Sequence, residues 1–230
     1  MPALEVLETE RLILRPLEVG DAVVHRRLWT ERDPRVPPHR RIDSEGRPTV
    51  ADIAAQIYSA RDKPGPRLLT VVLRETGDVI GYCGLIPGGH GSIDEPELAY
   101  ELLRATHRRG YATEAGQAVV SWATESGYRR LWAGVREWNT ASRRVLEKLG
   151  FHETGQVEPD AVHGNSLLMV WQLLRTGGRQ QQSTDSISPV RDLPARDAHR
   201  HSIVAEVGAA AAILTAMFGI SPATLGPAER

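Results

Sequence analysis

A short basic turn runs straight into a helix at His107-Arg-Arg-Gly-Tyr-Ala-Thr-Glu-Ala115. The first turn of a helix leaves N–H groups without intrahelical partners and carries a partial positive charge. A glycine at that junction lets an anion approach the backbone closely. Arg108 and Arg109 add mobile positive charge at the same place. The chemistry this arrangement suits is pyrophosphate binding, although a capped surface helix would use the same residues.

A second segment follows, Asn139-Thr-Ala-Ser-Arg-Arg-Val-Leu-Glu-Lys-Leu-Gly-Phe151. Together the two resemble the acetyl-CoA site of the GNAT N-acetyltransferases. Within that superfamily the chain is most similar to the RimJ/RimL-like branch, the ribosomal-protein N-terminal acetyltransferases. The opening Glu8-Thr-Glu-Arg-Leu-Ile-Leu-Arg-Pro-Leu17 and the run Glu97-Leu-Ala-Tyr-Glu-Leu102 fit the same branch, so the resemblance covers about residues 8–174.

The resemblance implies a fold and a division of labour. The strands at 97–102 and 131–136 should splay apart, with the pantetheine arm of acetyl-CoA in the crevice. Backbone at Leu102 and Leu103 would hold that arm. The N–H groups of Arg108, Arg109, Gly110, Tyr111, Ala112 and Thr113 would hold the pyrophosphate. A backbone N–H near Tyr100 would polarise the thioester carbonyl, an oxyanion-hole role that needs no side chain. Asn139, a good N-cap for the helix that follows, would also hydrogen-bond the arm.

Two positions depart from the wider superfamily. Many members carry a tyrosine seven residues after this asparagine to protonate the departing thiolate, and this chain has Leu146. The RimL-like arrangement implies Ser142 as the acid instead. A thiolate is a fair leaving group near neutral pH, so the demand on that acid is modest. His107 stands where Gln or Arg heads the phosphate motif; a cradle of backbone amides does not depend on that side chain.

The acceptor amine must attack as the free base. A lysine amine is unprotonated in roughly one molecule in 2500 at pH 7, an α-amine in about a tenth or more. One carboxylate or a water chain would then suffice as base. Asp94, Glu95, Glu97 and Glu101 cluster along the sequence, and alternation puts Glu97 and Glu101 on one strand face with Ala99 between them. Glu97 is the expected base; Asp94 and Glu95 read as a solvated loop edge.

Composition frames this reading. Of 230 residues, 41% are hydrophobic and 25% charged, and the formal net charge is −1. That balance gives no reason to expect nucleic acid or anionic membrane as a partner. Cys83 is the sole cysteine, so no internal disulfide is possible. It falls in a β-rich run, where a buried thiol is expected rather than a nucleophile. The acidic N-terminus lacks an apolar signal core, and the expected setting is the cytoplasm. The eight histidines show no metal-ligand spacing, so no metal is expected. Trp122 and Trp132 read as core, and Trp138 could line an acceptor tunnel.

Periodicity predicts strands at 11–14, 67–74, 79–86, 97–102, 131–136, 151–157 and 167–174. Helices are expected at 21–30, from a capping box at Thr49 to about residue 61, at 111–126 and at 140–149. The fold class is α/β (α+β): the GNAT fold, a mixed, mostly antiparallel sheet with helices on both faces, over residues 1–175. Residues 176–201 read as a disordered linker. Residues 202–220 read as an apolar or amphipathic helix that docks on the core or on a second subunit rather than spanning a membrane, and 221–230 as a tail. The acceptor is a protein N-terminus or a small amine, reached by loops at 31–48 and 87–96, and a homodimer is possible on this pattern. The alternative reading is a non-catalytic acyl-CoA-binding sensor.

Overall fold

A computed structural model describes residues 6–63, 65–87 and 94–173. The expected linker, C-terminal helix and tail lie outside the described residues, as does the glycine-rich segment 88–91. Eight strands form one sheet in the order β1-β2-β3-β4-β5-β6-β8-β7. They are β1 Leu7–Glu8, β2 Leu12–Pro16, β3 Leu68–Leu73, β4 Val79–Ile86, β5 Glu97–Leu102, β6 Arg130–Arg136, β7 His152–Glu158 and β8 Ser166–Gln172. The helices are α1 Ala22–Glu31, α2 Val50–Ala60, α3 Tyr111–Glu125 and α4 Thr140–Lys148.

Alternation along the central strands assigns each face to a helix pair. Cys83 and Leu85 of β4, with Leu98 and Leu102 of β5, pack against Ala115, Val119 and Val120 of α3 and Leu146 of α4. Tyr82 and Ile86 face the other way and pack with Leu28 of α1. Trp29 of α1 packs on Ile53 and Ile57 of α2, which closes that layer. Both sheet faces are therefore covered, and this is why β3 and β4 read as near-continuous apolar runs.

Local signals set the element ends. Thr49 Oγ1 accepts the Asp52 N–H at 3.1 Å while Asp52 Oδ2 accepts the Thr49 N–H at 2.9 Å, a reciprocal cap on α2. Gly150, at φ 86°, ends α4 in the left-handed conformation that a residue without Cβ adopts cheaply.

One junction breaks the antiparallel pattern. β5 and β6 run parallel, and their ladder has a single paired position, Glu97 with Trp132. The Trp132 N–H donates to Pro96 O at 3.0 Å. Two residues further along β6, the Gly134 N–H donates to the Glu97 carboxylate at 3.0 Å. A side chain thus takes the place of a ladder bond where the strands part, and beyond it the sheet is split.

Candidate active site

The edge of this split follows from the β4–β5 register. Gly81 faces Leu102 and Ile86 faces Glu97, and the Leu103 N–H donates to Ile80 O at 2.8 Å. In an antiparallel ladder, bonded and non-bonded pairs alternate. Glu97, Ala99, Glu101 and Leu103 therefore turn their amides to β4. Leu98, Tyr100 and Leu102 turn theirs towards β6, and past Leu98 no strand among the described residues meets them. The amides of Tyr100 and Leu102 line the opening.

Leu103 does not share that position, a correction to the expectation for it. Its N–H is used by Ile80, and its carbonyl accepts from the Thr106 N–H at 2.9 Å. His107 has a role of its own: its ring Nε2 lies 2.8 Å from Leu102 O, the bond of the Nε2–H tautomer. That bond ties the phosphate turn to the end of β5.

The turn itself is open. Arg108 (φ 62°) and Gly110 (φ 83°) both have positive φ. The first bond of α3 runs from the Glu114 N–H to Gly110 O at 3.0 Å. Among the described residues the N–H groups of Arg108, Arg109, Gly110, Tyr111, Ala112 and Thr113 have no acceptor. Side chains far away in sequence brace this geometry. The Arg11 guanidinium donates to Arg109 O at 3.1 Å and to Glu114 Oε2 at 2.7 Å, and the Thr9 hydroxyl donates to Glu114 Oε1 at 2.6 Å. Arg11 also lies 4.7 Å from the centre of the Tyr111 ring. The Thr9–Arg11 part of the opening motif thus props the turn.

Across the opening stands the first turn of α4. Asn139 Oδ1 accepts the Ser142 N–H at 3.2 Å, the expected N-cap. Its Nδ2 has no acceptor among the described residues. The Tyr100 hydroxyl reaches over from β5 to within 2.8 Å of Ser142 Oγ and 3.0 Å of Ser142 O. Burial pushes the Tyr100 phenol up from its ordinary pKa, with the bond to Ser142 opposing it. Leu146 is fully buried in the core, so its side chain does not reach the opening.

The acidic residues separate into different roles. Glu97 is 5% exposed, at the apex of the split. Glu101 is held by Arg32, whose Nε and Nη2 donate at 2.9 and 2.7 Å, and by the Tyr82 hydroxyl at 2.9 Å. Burial pushes the Glu101 carboxyl up, but the Arg32 guanidinium outweighs it and holds the group below the usual carboxylate range. A carboxylate so paired is a poor base. Glu95, expected to be a solvated edge, accepts from Arg130 at 3.0 Å and from the Trp132 indole at 3.0 Å. Trp132 is accordingly half-buried rather than core, and Trp122 packs partly exposed on the α3 side. The Trp138 indole donates to His163 O at 2.7 Å beside the β6–α4 junction. Cys83 is buried, which pushes its thiol up to about 12 and makes it inert.

The parts fit acetyl-CoA: a cradle of open amides, a bare strand edge and the Asn139 Nδ2, which has no acceptor among the described residues. Among the described residues no group of three or more His, Cys, Asp or Glu side chains is arranged to hold a metal ion.

Residues 11–152 match the acetyltransferase (GNAT) domain. The chain belongs to the GNAT acetyltransferases and is an acyltransferase. An uncharacterised N-acetyltransferase of Bacillus licheniformis, p20, is 31% identical over 156 residues, 66% of this chain and 85% of that protein. A GNAT-family acetyltransferase structure from Bacillus anthracis is similar with a TM-score of 0.60 at 21% identity, covering 73% of this chain and 98% of that one. A putative ribosomal-protein-serine acetyltransferase from Vibrio cholerae is similar with a TM-score of 0.58 at 18% identity, over 75% and 100% of the two chains.

Sequence reasoning placed Tyr100 for its amide and missed its hydroxyl. The available signal was alternation: Tyr100 lies on the opposite strand face to Glu97 and Glu101, the face that α3 and α4 cover. The Arg32–Glu101 pair joins positions 69 residues apart, and no local pattern marks it.

Proposed function

We propose that this GNAT enzyme moves an acetyl group from acetyl-CoA to a primary amine, by direct attack within a ternary complex. The acceptor is a protein N-terminal α-amine or a small-molecule amine. The observation that carries the reading is the split sheet, with open amides at Arg108–Thr113 at one end and the Tyr100–Ser142 hydroxyl pair across it.

Bound acetyl-CoA supplies an activated acetyl thioester. The turn amides hold the diphosphate, assisted by the α3 dipole. The Leu102 amide and Asn139 Nδ2 hold the pantetheine arm in register. The Tyr100 amide points into the opening and stabilises charge developing on the carbonyl oxygen. Glu97 takes the proton from the attacking amine. Ser142 Oγ gives a proton to the departing sulfur and regains one from solvent, while the Tyr100 hydroxyl beside it holds the serine in place.

The placement in the RimJ/RimL-like branch rests on the motifs at residues 8–17 and 97–102, and the fold shared with the Vibrio cholerae protein is in keeping with it. The setting proposed is cytoplasmic, on the single, buried Cys83. Among the described residues no helix is long and apolar enough to cross a membrane. The reading is tested by CoA release against peptide N-termini and small amines in parallel. Release that depends on an amine and falls in Ser142→Ala supports it. Acetyl-CoA binding without release against any amine would favour a sensor.

A further inference from the structure

The loop between α1 and α2 crosses the open end of the split. At its start Arg32 binds Glu101 on β5. Three residues later the Arg35 guanidinium lies 4.1 Å from the centre of the Trp138 ring, beyond β6. A 3₁₀ turn, Pro38–Arg40, follows within this span. Arg32 Nη1 donates to Arg40 O at 3.0 Å, which fixes the end of that turn against the buried Arg32–Glu101 pair.

Arg40 is half-buried, and its guanidinium senses Arg32, Tyr82, Glu101 and Glu97. Burial pulls it down from its ordinary pKa, although a guanidinium keeps its charge at any working pH. Arg32 directs its charge into a bidentate bond with Glu101. Arg40 makes no side-chain hydrogen bond or ion pair among the described residues. The cluster therefore holds two carboxylates and two guanidiniums, and one of the guanidiniums has its donor fork free.

That balance selects among amines. A polyamine would meet no excess of negative charge here. A free guanidinium fork matches a planar anion through two parallel hydrogen bonds. We propose that the acceptor is a primary amine bearing a carboxylate, an α-amino acid or close analogue, whose carboxylate is held by Arg40 beside Glu97. This rests on the transferase reading above and narrows it to one substrate class.

Two measurements on the full chain test it. In the first, N-acetyl amino acids and their amides are titrated calorimetrically without acetyl-CoA. The acid should bind roughly tenfold or more tightly than its amide, the scale of a charge-assisted hydrogen bond. Arg40→Gln should abolish that difference, and Arg40→Lys should keep part of it. In the second, CoA release is compared for amino acids, their amides, decarboxylated amines, spermidine and short peptides. Amino acids should lead in kcat/KM, and Arg40→Gln should flatten the ratio of acid to amide. Preference for spermidine or a peptide N-terminus, or an equal loss for acids and amides in Arg40→Gln, would overturn the proposal. Should Arg40→Gln fail to fold, the acid-to-amide comparison on the parent chain and on Arg40→Lys decides. Failure of the parent to bind acetyl-CoA would instead defeat the transferase reading, and the calorimetric difference would still judge Arg40 separately.

Discussion

The Tyr100 hydroxyl on β5 lies 2.8 Å from Ser142 Oγ on α4, so one hydrogen bond spans the two walls of the split sheet. A phenol carries one proton, and both Ser142 O and Ser142 Oγ lie within reach of it. When Ser142 Oγ accepts it, the serine proton is left to face the opening, where a leaving thiolate would take it. The two hydroxyls then act as a unit, and their loss should not be additive.

Ser142→Ala and Tyr100→Phe should each lower kcat, by roughly ten- to a hundredfold, within the range of general acid catalysis. The double variant should lose little more than the worse single one. Steady-state CoA release measures this, with acetyl-CoA affinity by calorimetry as the check on folding. Fully additive losses would separate the two residues.

Glu97 has a structural and a chemical duty, and two substitutions distinguish them. Glu97→Gln keeps an oxygen for the Gly134 N–H but cannot take a proton. Its kcat should fall at least tenfold across pH 6–9 with thermal stability little changed. Glu97→Ala should also destabilise the fold by about 1 kcal/mol, because it removes the acceptor of the Gly134 N–H. Unchanged turnover in Glu97→Gln would confine the residue to holding the split.

The phosphate turn should be sensitive to its brace. Gly110→Ala forces a side chain into a left-handed conformation (φ 83°), a cost of about 1–2 kcal/mol. Arg11→Ala frees the Arg109 carbonyl and takes the guanidinium from Glu114, which keeps the Thr9 hydroxyl. Both variants should weaken acetyl-CoA binding in calorimetry while sparing the acceptor side of the split.

His25 should make stability depend on pH. It is 2% exposed, stacked on Tyr82 at 5.4 Å between ring centroids, and its Nε2 has no hydrogen-bond partner. Burial lowers its pKa, with Asp21 and Glu101 opposing. The unfolded chain therefore binds a proton that the folded chain refuses. Stability from this group is present above the unfolded value, about 6.5, and is lost as pH falls towards the folded one, by at most about 1.4 kcal/mol per unit. Urea melts between pH 5 and 8 should show that slope, and His25→Phe should flatten it.

Local pattern along the chain carried the family and most of the elements, though not the two-residue strand Leu7–Glu8. Alternation along 79–86 and 97–102, the reciprocal cap at Thr49 and the stop at Gly150 are local effects, written within a few residues of where they act. The anion cradle was legible for the same reason, since a glycine at a helix start is a backbone property. Which amides face the opening depends on strand pairing across the sheet. The β4–β5 register gives the Tyr100 and Leu102 amides to the crevice and the Leu103 amide to Ile80. The packing of helices on the two sheet faces brings Arg11 to Glu114, Tyr100 to Ser142 and Arg32 to Glu101. Those contacts depend on how the sheet parts at Glu97 and which helix covers each face, and no short stretch of chain encodes them.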